Sequence, residues 1–322
     1  MFRALLAAGL LLLAGCASRA PVLLPITTQQ GSEPRVELTD TPFFPQEAYQ
    51  CGPAALATLL NANGVAVSPE QLVPQVYLPE RRGSLQVEII AAARRHDQVP
   101  VIIEPDLPAL LEMLRAGRPV LVLQNLGLAR LPVWHYAVVV GYEAASDTLL
   151  LRSGTERRKR TSARDFSRSW ALAENWGLVL LDPQESPGKL DAVRYLTAVA
   201  GLEAAGRLET AKRAYTTATA AWPDQALAWL GLGNVAYRRN RLRAARNAYR
   251  RAHALAPGDP VVTNNLAQVL GELGCAREAG RLLDTLPPGA EISPAVKQEL
   301  AKTRLLVQER SSRPDLPSCG RR

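Results

Sequence analysis

The sequence predicts two units of different class: an α+β domain over residues 43–183, then an all-α helical solenoid over residues 189–308. Three observations carry this reading. Up to residue 183, helix-like runs come first and β-branched, strand-like runs follow, so helices and an antiparallel sheet are segregated along the chain. Beyond it every run has helical periodicity. The second half also repeats itself. A shift of 34 residues lays Tyr195 on Trp229, Ala211 on Ala245, Tyr215 on Tyr249, Ala218 on Ala252 and Pro223 on Pro257.

The elements follow in order. Residues 51–63 form an apolar helical pattern that Asn63-Gly64 ends. Ser68-Pro69-Glu70-Gln71 opens a second helix, with a capping serine and a Gln three residues on. Residues 84–95 give a third helix and 99–103 a strand, and Asp106 caps a fourth helix to Arg115. Strand-like runs lie at 119–124, 135–142, 148–152 and 177–181, with Ser146-Asp147 turning between the second and third. Asp182 to Gly188 holds Pro183 and Pro187 and reads as a linker. In the second half, one helical hairpin cannot bury its apolar face alone, so repeats must stack, with 294–308 as a capping helix and 309–322 as a disordered tail.

Apolar residues at 47% and charged residues at 21% are globular proportions, which excludes a disordered chain or a multi-span membrane protein. No GxGxxG or GxxxxGK[ST] follows a strand-like run, and no CxxC or HxxxH spacing is present, so no cofactor or metal is expected. The N-terminus sets the compartment. Arg3 precedes an apolar run from Ala4 to Ala14, too short to span a bilayer and shaped like a secretory signal. It ends in Leu13-Ala14-Gly15-Cys16, which resembles the bacterial lipobox. That resemblance implies a signal over residues 1–15, acylation of Cys16, and a tether over 16–42. Ala17 rather than Asp follows, which implies a bacterial cell envelope location, lipid-anchored at the outer membrane and facing the periplasm. An exported protein meets little nucleic acid, so none is expected as a partner. The basic stretches at 157–160 and 238–251 are read as solvated faces or contacts to anionic lipid.

The chemistry concentrates in two segments. Gln46-Glu47-Ala48-Tyr49-Gln50-Cys51-Gly52-Pro53 puts a cysteine at the first turn of a helix, whose N-terminus favours thiolate over thiol. Pro53 fits there because the N–H it lacks would have no helical partner. Trp134-His135-Tyr136-Ala137-Val138-Val139-Val140 puts a histidine at the start of a buried strand, 84 residues further on. That order suits two groups that meet only in the fold.

Together these segments resemble the bacteriocin-processing, double-glycine type of papain-like cysteine peptidases, and the 34-residue period resembles tetratricopeptide repeats. The resemblance implies a cysteine peptidase with Cys51 as nucleophile and His135 as general base. It implies an oxyanion hole from Gln46 and the Cys51 backbone N–H, with Gln50 as a nearby competitor for Gln46. Relatives carry an Asp on the strand after the histidine; here Ser153 stands in that position, with Asn125 and Asp147 as alternatives. The substrate would be a peptide or protein. The repeats would dock a protein partner, with Asn234, Asn264 and Asn265 facing an extended peptide. A catalytically weak peptide-binding scaffold is the alternative reading. His96 and His253 are read as structural or solvated, Trp134 as packing or a wall of the site, and Cys275 and Cys319 as able to pair.

Overall fold

The computed structural model describes residues 34–45, 50–286 and 292–312. The signal segment, Cys16, most of the tether, Gln46 and Cys319 lie outside the described residues.

The chain begins with β1 (Arg35–Glu37), α1 (Cys51–Ala62) and α2 (Pro69–Val76). A small hairpin, β2 (Tyr77–Leu78) and β3 (Gly83–Ser84), leads to α3 (Gln86–Arg95), β4 (Val99–Ile102) and α4 (Leu107–Arg115). Then come β5 (Val120–Asn125), β6 (Trp134–Glu143), β7 (Thr148–Ser153), β8 (Glu156–Ser162), α5 (Ala163–Ala171) and β9 (Gly177–Leu181). Local chemistry explains several boundaries. Ser68 and Gln71 form a reciprocal capping box at α2. The Asp106 carboxylate accepts the Ala109 N–H at 2.8 Å at the start of α4. Gly64 ends α1 at φ +78°, where a side chain would strain the backbone.

The six longer strands pair antiparallel in the order β4-β9-β5-β6-β7-β8. Alternation along them fills two cores. Leu121, Leu123, Tyr136, Val138, Val140, Leu150, Leu178 and Leu180 pack under α1, α2 and α3. Val120, Val122, Ala137, Val139, Leu149, Leu151 and Val179 point the other way, toward α4 and α5. A bulge between Val139 and Gly141 lets Tyr142 join that second core.

Three expectations are corrected. Residues 35–37, read as tether, form β1, which pairs with β6 at 141–143 beyond the reach of β5. Gly141 permits it, because a Cβ there would collide with the Val36 carbonyl. The basic run 157–160, read as a solvated face, is largely exposed as expected, but it forms an edge strand, β8, where no strand was expected. Arg158 bonds Glu37 at 2.7 Å and Glu143 at 2.9 Å, and Arg160 lies 2.6 Å from Glu143. The final helix also runs three residues past 308.

The second half is helical throughout: α6 (Ala192–Ala204), α7 (Leu208–Ala221), α8 (Ala226–Arg238), α9 (Leu242–Leu255), α10 (Pro260–Glu272), α11 (Ala276–Leu283) and α12 (Pro294–Ser311). Close approach defines the hairpins. Gly231 lies against the Tyr215 ring and Gly233 against the Tyr249 ring, each too near for a Cβ. The first repeat is fused to the sheet: Tyr195, Leu196, Val199 and Leu202 of α6 share one core with Val99 and Val101 of β4. Asp97 accepts from both Arg207 and Thr210, and Arg194 pairs with Glu104. The linker is pinned as well, since buried Arg118 donates to Ser186 O at 2.6 Å and to Pro187 O at 3.1 Å. Among the described residues no helix is long and apolar enough to cross a membrane.

Candidate active site

α1 is buried almost all round, and that fixes its first residue, Cys51, at the sheet's end. The backbone N–H groups of Tyr136, Gly52 and Cys51 itself lie close to the sulfur and favour thiolate, but burial outweighs them and pushes the Cys51 thiol above its ordinary range. Gly52 has to be glycine, because a Cβ would overlap the Ser84 side chain.

His135 is the second residue of β6 and shares a strand face with Ala137 and Val139. Its Nε2 lies 2.8 Å from the Oγ of Ser153, which ends β7 and is almost fully buried. Burial, then the nearby charge of Lys159, pushes the imidazole down to about 4. Both shifts favour the uncharged thiol and the uncharged imidazole. No hydrogen bond joins them; they open on the same cleft, of about 1050 Å³. Trp134, Pro132, Leu172 and Arg81 form other parts of its wall.

The structure brings Cys51, His135 and Ser153 to one place. Asn125 is occupied elsewhere: its Oδ1 accepts the Gly127 and Val133 N–H groups, each at 2.9 Å, and it shapes the 126–133 hairpin. Asp147 turns the chain beyond the far end of β6, about 26 Å of strand from His135. It is too far to orient the ring. His96 caps the end of α3 and His253 lies in α9; neither lines the cleft. Cys51 is a free thiol, whereas Cys275 is disulfide-bonded; Cys319, its expected partner, lies outside the described residues. No group of three or more His, Cys, Asp or Glu side chains suited to a metal occurs among the described residues.

Sequence reasoning missed Ser84. Its hydroxyl lines the cleft beside the start of α1 with no hydrogen-bond partner among the described residues. Only the glycine one residue after Cys51 hints at it. In the repeats, Asn265 and Tyr249 both donate to Asn234 Oδ1, at 3.2 and 3.0 Å. Asn264 is buried rather than presented on an open groove.

Residues 38–177 match the model of the Peptidase C39-like family, and residues 196–260 match a tetratricopeptide-repeat model. Among solved structures, the chain is similar to one named as a C39-like peptidase from Bacillus anthracis. The likeness has a TM-score of 0.40 and 15% identity, over 46% of this chain and 98% of that one. No curated protein matches the chain.

Proposed function

We propose that this chain, which carries a C39-like peptidase domain followed by tetratricopeptide repeats, is a thiol-dependent peptide-bond hydrolase of the bacterial cell envelope. One observation carries the reading: a free cysteine at a helix N-terminus and a histidine held by a buried hydroxyl open on one cleft. His135 takes the Cys51 proton as the sulfur attacks the scissile carbonyl. The C–N bond breaks, the imidazolium returns the proton to the leaving amine, and water hydrolyses the thioester. The backbone N–H of Cys51 and the Gln46 side chain receive the oxyanion, and the unpartnered Ser84 hydroxyl offers another donor at the same floor. Ser153 holds the imidazole in its tautomer. Cys16 carries the lipid anchor, and the repeats dock the protein partner or substrate.

The second reading, a peptide-binding scaffold with weak turnover, is favoured by the uncharged thiol and imidazole and by a serine where relatives hold a carboxylate. An epoxide or iodoacetamide probe separates the two. Rapid labelling of Cys51 at neutral pH, abolished in His135→Ala, supports the hydrolase; equal slow labelling of both proteins supports the scaffold. Anchoring is tested by fatty-acid labelling in cells, which Cys16→Ser must remove together with membrane association.

A further inference from the structure

A second cavity, of about 400 Å³, lies behind His135 on the side away from Cys51. Its polar wall includes Ser153 and three charged side chains, Lys159, Asp165 and Arg168, beside neutral amides and hydroxyls, and its apolar wall includes Leu126, Leu128, Leu151 and Leu172. The hydrogen bonding of Ser153 is incomplete toward it. For Nδ1 to take the thiol proton, Nε2 must keep its hydrogen and donate it to Ser153 Oγ. The serine hydrogen then needs an acceptor, yet Oγ has no other partner among the described residues, and Ser153 is only 3% exposed. A buried donor left unmade is costly.

The surrounding charges select what fills that role. Lys159 reaches its own carboxylate, Glu156, only at 4.0 Å, and Arg168 reaches Asp165 at 3.6 Å. Both are long, part-exposed contacts that hold the cations weakly. Asp165 is turned to the start of α5, where its Oδ2 accepts from the Ser162 hydroxyl at 2.7 Å. The three charges lining the cavity sum to one positive charge. An apolar wall beside that charge suits a monoanion with a hydrocarbon substituent.

We propose that this cavity binds a short-chain carboxylate, which accepts the Ser153 hydrogen, pairs with Lys159, and completes a His135–Ser153–carboxylate relay. The inference rests on the reading of Cys51 and His135 as a catalytic pair. The carboxylate supplies through the hydroxyl the negative charge that relatives place directly on the histidine. It also offsets the Lys159 cation, which now opposes a proton on His135. Hydroxyl chains of this kind polarise one another, so a charge at the far end strengthens the bond at the near end.

The test is iodoacetamide alkylation of the full chain at pH 7, read at Cys51 by peptide mass spectrometry, with chloride replaced by butyrate at constant ionic strength. The Cys51 rate should rise saturably, on the order of tenfold, which corresponds to about one pKa unit. Lys159→Gln and Ser153→Ala should lose the response. Ser153→Asp should alkylate faster without butyrate and gain nothing from it. Asp165→Asn should reach half-saturation at lower butyrate. A flat or non-saturating butyrate curve overturns the proposal, as does an equal response in Lys159→Gln. If Asp165→Asn instead slows alkylation in chloride, Asp165 itself supplies the charge and the proposal falls. His135→Ala identifies which layer failed. Alkylation as fast as wild type removes the catalytic pair, whereas slow alkylation beside a flat wild-type butyrate curve removes only the carboxylate site.

Discussion

The two faces of the sheet bring Cys51 and His135 to the cleft by different means. Cys51 comes from the face covered by α1, α2 and α3, and a buried helix aims it at nearby backbone N–H groups. His135 comes from the opposite face and is held by one hydroxyl, with a cation behind it. The cysteine side is rigid packing with fixed backbone dipoles. The histidine side is side-chain chemistry, in which one atom's identity sets a charge. Mutations on the first side should therefore act through geometry, and those on the second through proton affinity.

His135→Ala breaks the comparison most severely. Turnover of a cleaved peptide should fall by about 10²–10⁴-fold, the usual worth of a general acid–base group, with the thermal midpoint little changed. Gly52→Ala probes the other face. Its Cβ meets the Ser84 side chain, so α1 or the β2–β3 hairpin must shift, and the expected cost is about 1–3 kcal/mol of stability measured by denaturant titration. Slower Cys51 labelling should accompany it with no change in the shape of the pH profile. If the profile moves instead, the two faces are not separable.

Ser153→Asp sharpens the contrast. With the imidazole pushed down to about 4 and the thiol pushed up, the wild-type alkylation rate should show a single rise toward alkaline pH. A carboxylate at 153 should draw that rise toward neutrality by about one pH unit, worth about 1.4 kcal/mol. Ser153→Ala should move it slightly the other way.

The smallest effect is at the sheet edge. A hydrogen bond from Arg158 holds the Glu37 carboxyl down from 4.5 to about 2, against burial and helped by Arg35. Because the folded value is depressed, the stabilisation is present above pH 4.5 and is lost as pH falls toward 2. Glu37→Gln should remove that part of the acid dependence and leave the neutral labelling rate alone.

What could be read from the residues was what they declare locally. The capping box at Ser68 and the cap at Asp106 rest on side chains within one turn of one another, and the 34-residue period restates one hairpin's pattern in the next. The order of Cys51 and His135 suggested a meeting, and the resemblance to the peptidase family pointed to Ser153 while leaving Asn125 and Asp147 open. β1 escaped because three residues give no periodicity, and its pairing depends on the absence of a side chain at Gly141. β8 escaped because an edge strand dressed in arginines resembles a solvated loop; its acidic partners lie on β1 and β6. Ser84 and Lys159 reach the site only through strand pairing, which sequence spacing does not encode.

The junction at Asp97 has a further consequence. Because α6 shares a core with β4, and Arg207, Thr210 and Arg194 clamp the same seam, the first repeat is packed onto the domain that carries the cleft. Under the proposed function, a chain gripped by the first repeat would be offered to Cys51 across a constant span, at an effective concentration set by the length of the intervening segment. Under the proposed hydrolase function this makes a ruler, in which the cut is set by counting residues from the grip, and lengthening or shortening the intervening segment would move the cut without altering either end.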